Sequence, residues 1–272
     1  MTCISPGRRQ DHRRLDMFTA KEYVRAESLE QAWSLNQKKS SAVLGGMMWL
    51  KMGNGRKGTI IDLSGLGLDT IQEDDREFSI GAMCTLRQLE THQGLNLAFD
   101  GVFRECVRHI VGVQFRNGAT VGGSVFGRYG FSDVLTCLMA LETEVELYRG
   151  GRVPLEKFAA MPYDRDILVR LWVKKDGRRA AYGSQRNTAT DFPVIACAVS
   201  RLGDEWKVAV GARPKRAESI LLDGRGKTAG QLAEEAAKAF SYGSNLRAGA
   251  AYRAHLAQVY IRRLAEKLGE ES

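Results

Sequence analysis

The spacing of apolar positions changes repeatedly along the chain, and each change marks an element. Short apolar or alternating runs predict strands at 22–24, 41–44, 59–63 and 78–82. Between the first two, Ser28 with Gln31 three residues on has the form of a capping box, and Leu29, Ala32 and Trp33 share one helical face. A second capped start stands at Thr85-Leu86-Arg87-Gln88. Val102, Phe103, Cys106, Val107 and Ile110 then recur at i, i+1, i+4, i+5 and i+8, an amphipathic stripe. The texture breaks at 117–124, where Gly118, Gly122 and Gly123 predict a loop whose backbone approaches something closely. After Asp133 the run 134–141 is apolar almost all round, as in a buried helix. Strands follow at 144–148, 167–173, 194–200 and 206–212, spaced as in an antiparallel meander, with a Gly150-Gly151 turn after the first. A helix over 251–268, with Tyr252, Leu256, Val259, Tyr260 and Leu264 on one stripe, closes the chain. Mixed order of strands and helices without an internal repeat argues for α+β. A boundary falls near 178, in the charged run 174–179.

Composition narrows the class. The 272 residues are 44% hydrophobic and 26% charged, the balance of a globular chain with a sizeable core. The apolar run 194–199 is among the longest and falls far short of the roughly 20 residues of a bilayer-spanning helix, so no membrane partner is expected. Residues 1–16 are polar and Arg-rich with no apolar block behind them, which fails the pattern of a secretion signal and points to the cytoplasm. They read as a flexible leader. Five cysteines without a CxxC pair, and four scattered histidines, give no local metal-ligand spacing. The net charge of +8 is uneven: 170–186 holds six basic residues against Asp176 alone. Only Trp172 and Tyr182 are there to stack bases, so that run reads as a solvated edge or an acidic partner's docking face, and nucleic acid is not expected.

Two Gly-Gly segments carry the candidate chemistry, Val43-Leu44-Gly45-Gly46-Met47-Met48 and Ala119-Thr120-Val121-Gly122-Gly123-Ser124. Glycine lets successive N–H groups point into one concavity, and such a nest binds phosphate oxygens; two nests can share a pyrophosphate. Each alone also reads as a tight turn. There is no GxGxxG after a strand, and Gly224-Arg225-Gly226-Lys227-Thr228 lacks the leading glycine of a nucleotide-triphosphate loop. No spacing gives a nucleophile with its base or a paired-carboxylate site, so any chemistry is expected from a bound cofactor.

These residues resemble a known family, the FAD-binding medium subunit of molybdenum hydroxylases, of the xanthine dehydrogenase and carbon monoxide dehydrogenase type. Arg116-Asn117-Gly118-Ala119-Thr120-Val121-Gly122-Gly123-Ser124 is similar to the family's R-N-x-A-T-x-G-G-N/S, and Ser132-Asp133 through Ala140-Leu141 to its Asp-led apolar helix. Ile80-Gly81-Ala82 with Thr85-Leu86 resembles the family's I-G-A strand and helix start. Leu44 to Trp49 stand where the family has A-G-G-T-D-L, with Met47, Met48 and Trp49 in place of polar residues; the methionines there also suit core filling.

The resemblance implies a two-subdomain FAD-binding domain of the PCMH type over 17–178. A small α+β C-terminal domain with a three-stranded antiparallel sheet is implied over 179–272. By position, Val43, Leu44, Gly45, Gly46, Met47, Met48 and Trp49 would line the FAD, as would Ala119, Thr120, Gly122, Gly123 and Ser124. Ile110 and Leu168 stand where relatives touch the adenine or flavin side; where many relatives carry a lysine this chain reads Tyr182-Gly183-Ser184-Gln185-Arg186, in which Gly183 cannot replace the cation and Arg186 is expected to do so in part. Asp133 reads either as an acceptor for the cofactor's sugar-like portion or as the N-cap of the helix after it. The implied partners are a small subunit with 2Fe-2S clusters and a large molybdopterin subunit, with electrons passing through FAD to NAD or another acceptor. Asn245 to Arg253 resembles R-G-S-A-x-Y-R of the xanthine dehydrogenase branch, which suggests purine-type substrates. A stand-alone flavin oxidase, or a scaffold that has lost FAD, are the alternatives. Gly122→Val is expected to lose flavin with the fold intact.

Overall fold

The structure, a computed structural model, describes residues 18–269; the leader expected over 1–16 lies outside them. β1 (Thr19–Arg25), α1 (Leu29–Asn36), β2 (Ala42–Leu44) and β3 (Arg56–Asp62) form a parallel three-stranded sheet of order β1-β3-β2. Ser28 Oγ caps α1 by accepting Gln31 N–H at 3.1 Å. The Gln31 side chain returns to Glu27 N–H at 2.7 Å, one residue before the position a capping box uses. Ala32 and Ile61 are fully buried there, with Leu29, Trp33 and Val43 packed around them.

β4 (Ile71–Glu73) and β5 (Glu77–Gly81) lead into six short helices: α2 (Leu86–Thr91), α3 (Gln93–Ala98), α4 (Val102–Val107), α5 (Val113–Gly118), α6 (Val121–Phe126) and α7 (Asp133–Met139). β6 (Thr143–Leu147), β7 (Gly151–Pro154), α8 (Leu155–Ala160) and β8 (Leu168–Lys174) complete this half. Its five strands pair antiparallel in the order β4-β5-β8-β6-β7. β6 and β8 therefore belong to this sheet, not to a meander with the strands after 190. β8 sits between β5 and β6 with Leu168, Leu171 and Val173 turned into the core, while Arg170 and Trp172 take polar partners on the other face, Ser79 for the first and Glu146 for the second. α7 is buried at every position, as its pattern predicts.

β9 (Arg179–Gln185), β10 (Ile195–Leu202), β11 (Glu205–Gly211) and β12 (Glu218–Asp223) form the C-terminal sheet, backed by α9 (Ala229–Ala239) and α10 (Ala250–Gly269). The sheet has four strands in meander order, one more than expected. β9 and β12 escape the sequence pattern because β9 is rich in small and polar residues and β12 is a half-exposed edge. On α10 the buried stripe runs through Arg253, Leu256, Ala257, Ile261 and Leu264, and Tyr252 is exposed. Arg253 is buried because its guanidinium serves Val194 O, Gly243 O, Ala248 O and Asn245 Oδ1.

The basic run is not a solvated edge throughout. Arg178 is buried between Asp176, Glu142, Glu205 and Ser200 Oγ, and Arg186 is buried against Asp133. Trp172 lies under Arg152 at 3.6 Å and donates to Glu146, and Tyr182 is buried, so neither is a stacking platform.

Candidate functional site

β2 delivers the chain directly into Gly45-Gly46, and the second glycine segment meets it there. A Cβ on Gly46 would lie 1.4 Å from Gly118 O and 2.9 Å from Ala119 Cα; one on Gly45 would lie 2.5 Å from Thr120 Oγ1 and 3.4 Å from Gly123 Cα. The two turns, more than 70 positions apart, are thus in backbone contact, an approach that only glycine permits. Met47 completes the first turn in the left-handed region at φ +59. The amides of Gly45, Gly46 and Met47 donate to no acceptor among the described residues.

The second segment is not the open loop its glycines suggest. Thr120 caps α6 through Oγ1 to Gly123 N–H at 3.2 Å, and Gly122 and Gly123 fill its first turn. Leu86 N–H to Ala119 O, Val121 N–H to Cys84 O and Gly122 N–H to Ala82 O, at 2.8–2.9 Å, lace it to residues 82–86. The Gly122 amide is therefore committed, and a Cβ there would lie 2.6 Å from Ala82 O. Gly122→Val would break this packing, so it cannot remove a ligand while sparing the fold. Gly123 is the exposed member, with only Thr120 Oγ1 (3.1 Å) near an added Cβ before Gly45 Cα at 4.0 Å.

Around the paired turns lies one cavity of about 600 Å³, within the range of small-molecule and cofactor sites. Val43, Leu44, Gly45, Gly46, Met47, Met48, Trp49, Ile110, Ala119, Thr120, Gly122, Gly123, Ser124, Asp133 and Leu168 all line it. The sequence reading missed other wall residues, which only the tertiary fold brings in. Asn36, Ser41, Lys57 and Asp166 come from around the parallel sheet and the start of β8; His109, Phe115, Phe131 and, from the loop after β9, Asp191 and Phe192 join from elsewhere. Trp49 meets Phe192 at 5.2 Å and Phe115 at 5.4 Å between ring centroids, and Phe131 meets Phe192 at 4.3 Å. Pro193 directly after Phe192 is a signal of a loop but not of where the loop lies.

Asp133 is the first residue of α7, and the cap is Ser132, whose Oγ accepts Leu135 N–H at 3.2 Å; the N-cap alternative passes to Ser132. Asp133 Oδ1 accepts from Arg186 Nη2 at 2.6 Å and from the Tyr182 hydroxyl. Burial pushes its carboxyl above the usual range against the opposing pull of Arg186 and Tyr182. Burial and the Asp133 charge push the Tyr182 phenol well up. Two buried cavity-wall atoms, Ser41 Oγ and Arg186 Nε, have no hydrogen-bond partner among the described residues.

The donor set fits a long, phosphate-bearing cofactor with aromatic portions: open glycine amides where two turns touch, an aromatic wall, and unpartnered donors elsewhere in the wall. Fold and cavity together define a cofactor-binding protein. The chain belongs to the FAD-binding domain family of molybdopterin dehydrogenases, whose sequence profile matches residues 16–172, so it is a flavoprotein subunit of an oxidoreductase with FAD as its cofactor. It is 25% identical over 264 residues to uncharacterized protein YgfM of Escherichia coli K12, covering 92% of this chain and 98% of that one. It is 26% identical over 275 residues to the nicotine 6-hydroxylase medium subunit of Paenarthrobacter nicotinovorans, covering 91% and 96%. In fold it is similar to carbon monoxide dehydrogenase from Hydrogenophaga pseudoflava, with a TM-score of 0.78, 20% identity and 91% and 97% of the two chains covered. Quinoline 2-oxidoreductase from Pseudomonas putida 86 matches with a TM-score of 0.79, 17% identity and coverage of 92% and 97%.

Proposed function

We propose that FAD occupies this cavity and that the chain is the electron-relay subunit of a three-subunit molybdenum hydroxylase. The carrying observation is the backbone contact of the two glycine turns, which sets the free amides of Gly45, Gly46 and Met47 beside Gly123 at one face of the cavity. These dipoles neutralise a diphosphate without a lysine. Bound there, the flavin supplies redox chemistry that accepts and returns electrons. The chain's own residues would bind and orient it: the Trp49–Phe192 pair would lie against a planar ring, Asp133 Oδ2, which Arg186 and Tyr182 leave free, would accept from a hydroxyl, and Leu168 and Ile110 would close apolar walls.

In this reading a 2Fe-2S subunit feeds electrons in from a molybdopterin subunit, and NAD or another soluble acceptor takes them out, in the cytoplasm. The substrate is hydroxylated on the partner polypeptide. The segment Asn245 to Arg253 supports a purine-type heteroaromatic such as xanthine. The relative that acts on nicotine supports a nitrogen heteroaromatic more broadly.

Gly123→Val tests the site, because its side chain enters the cleft between the turns without meeting backbone first. Purified wild-type chain is expected to be yellow and to release FAD on denaturation. The variant is expected to keep its circular dichroism and to bind FAD at least tenfold more weakly. Full retention of FAD by the variant, or a colourless wild type that takes up no added FAD, overturns the reading. Capture of the tagged chain from its source, followed by metal analysis, is expected to bring down iron and molybdenum in the same complex.

A further inference from the structure

His109 follows the end of α4 and lines the cavity next to Ile110. Arg108 donates from Nε to His109 Nε2 at 3.0 Å while its Nη1 holds Glu105 Oε2 at 3.0 Å. An imidazole that accepts at Nε2 carries its proton on Nδ1, so Arg108 fixes the neutral tautomer. The charged groups whose fields reach the ring are Glu105 from α4 and Arg108 directly after it, Arg186 directly after β9 and Asp133 from α7. Burial and the two arginines hold the imidazole below the ordinary histidine range, against Glu105 and Asp133. Asp133 is already bound by Arg186 and Tyr182, and Arg186 Nε has no partner. This stretch of wall therefore combines the Arg186 cation, a carboxylate already held by two donors and one neutral base backed by Arg108, a composition suited to receiving negative charge.

We propose that His109 is a proton-accepting residue of the cofactor pocket, coupled to reduction of a flavin ring bound beside Ile110. The inference rests on the reading that FAD lies in this cavity and adds a group to which no role has been given. Two electrons and one proton added to the ring leave it one negative charge richer. A second proton, from solvent, goes to His109 Nε2, breaking the contact from Arg108 Nε while Arg108 keeps Glu105. The electrons come from an iron–sulfur partner in the complex and from dithionite in the test.

FAD content of the wild type is measured first; a chain that holds none refutes the cavity reading itself. On FAD-loaded chain the midpoint potential is then followed between about pH 5 and 8, the range in which histidine changes charge, with the break of the oxidised state expected on the low side of the ordinary histidine value. Each proton taken up with two electrons contributes about 30 mV per pH unit. Between the imidazole's pKa values in the oxidised and reduced states, the wild type is expected to fall by about 60 mV per pH unit and His109→Gln by about 30. Equal slopes with FAD still bound overturn the role of His109 and leave the cavity reading standing. Arg108→Gln keeps the imidazole and removes the adjacent cation, so the break in slope is expected at higher pH; an unmoved break counts against the coupling. The chain has four histidines, so carbon-13 labelled imidazoles of the wild type resolve the same event by NMR. His109 is expected to titrate at higher pH in dithionite-reduced than in oxidised protein, and identical titrations overturn the proposal even should the glutamine variant bind FAD poorly.

Discussion

Arg116 opens the motif on which the resemblance rests, yet its guanidinium is used for holding the fold. Nε and Nη2 clasp the two carboxylate oxygens of Glu90 at 2.9 and 3.0 Å, and Nη1 reaches the carbonyls of Arg108 and Ile110 at 3.2 Å each. With the arginine side chain 6% exposed and the glutamate 11%, this is a buried bidentate pair that fixes the turn carrying His109 and Ile110. Arg116→Met leaves Glu90 with Arg87 alone, and removing one partner of such a pair costs about 3–5 kcal/mol. Urea unfolding is expected to show a loss of about 3 kcal/mol; a loss below about 1 kcal/mol would mean that the pair holds nothing in place. Val111, two residues past His109, carries the opposite kind of energy. Its φ of +50 puts a β-branched side chain in the left-handed region, which costs about 1–2 kcal/mol. Glycine relieves that cost and gives back about 0.5–1 kcal/mol in chain entropy, and Val111 is 43% exposed, so little burial is lost. Val111→Gly is expected to raise the urea midpoint modestly, and a lowered midpoint would show that the valine contacts outweigh the strain.

At the scale of elements, the chain announces what is packed by periodicity and hides what is packed by topology. The run after Asp133 was legible as a buried helix because α7 is apolar almost all round and packs between α4 on one side and β10 and β11 on the other. Leu138 is fully buried there, and Leu138→Ala is expected to cost about 2–5 kcal/mol, read as a fall in the thermal midpoint without loss of far-ultraviolet signal below the transition. α6 was not legible: Val121-Gly122-Gly123-Ser124 has poor helix propensity. It is helical because Thr120 caps it and the Gly122 amide is drawn to Ala82 O. β12 hid for the reason edge strands often do, since only one of its sides is paired. The glycine turns were legible as residues because only glycine lets two backbones approach as closely as these do. The aromatic wall was not, because Phe115, Phe131 and Phe192 arrive from three separate loops or helix starts and have no shared spacing.

Across the whole molecule, the C-terminal sheet and its helices matter to the cavity because this half brings Arg186 and Phe192 to its wall, and that placement depends on how firmly the two halves are joined. Lys207 of β11 crosses the interface to Leu141 O and Glu142 Oε1 at 3.0 Å each and to Glu156 Oε1 at 2.5 Å. Glu142 is shared with Arg178, whose Nη2 lies 3.5 Å away, and the Ser200 hydroxyl donates to Ala140 O. Burial pushes the Glu142 carboxyl up, but the hydrogen bond and charge of Lys207, helped by Arg178 and Lys174, outweigh it and leave the pKa below the usual range. A carboxylate whose folded pKa lies below its unfolded value of about 4.3 stabilises fully above that value, and the contribution disappears as pH falls through the folded pKa. Lys207→Met removes the main partner, so wild type and variant are expected to differ most at neutral pH and to converge as urea midpoints are followed down through about pH 4. A residual gap should remain, since Leu141 O still loses its donor at every pH. The same variant is expected to weaken FAD binding although Lys207 does not line the cavity, because a looser joint no longer holds Phe192 against Trp49. A gap that stays constant with pH, or FAD affinity equal to wild type, would show that the two halves are held together by α7 packing alone.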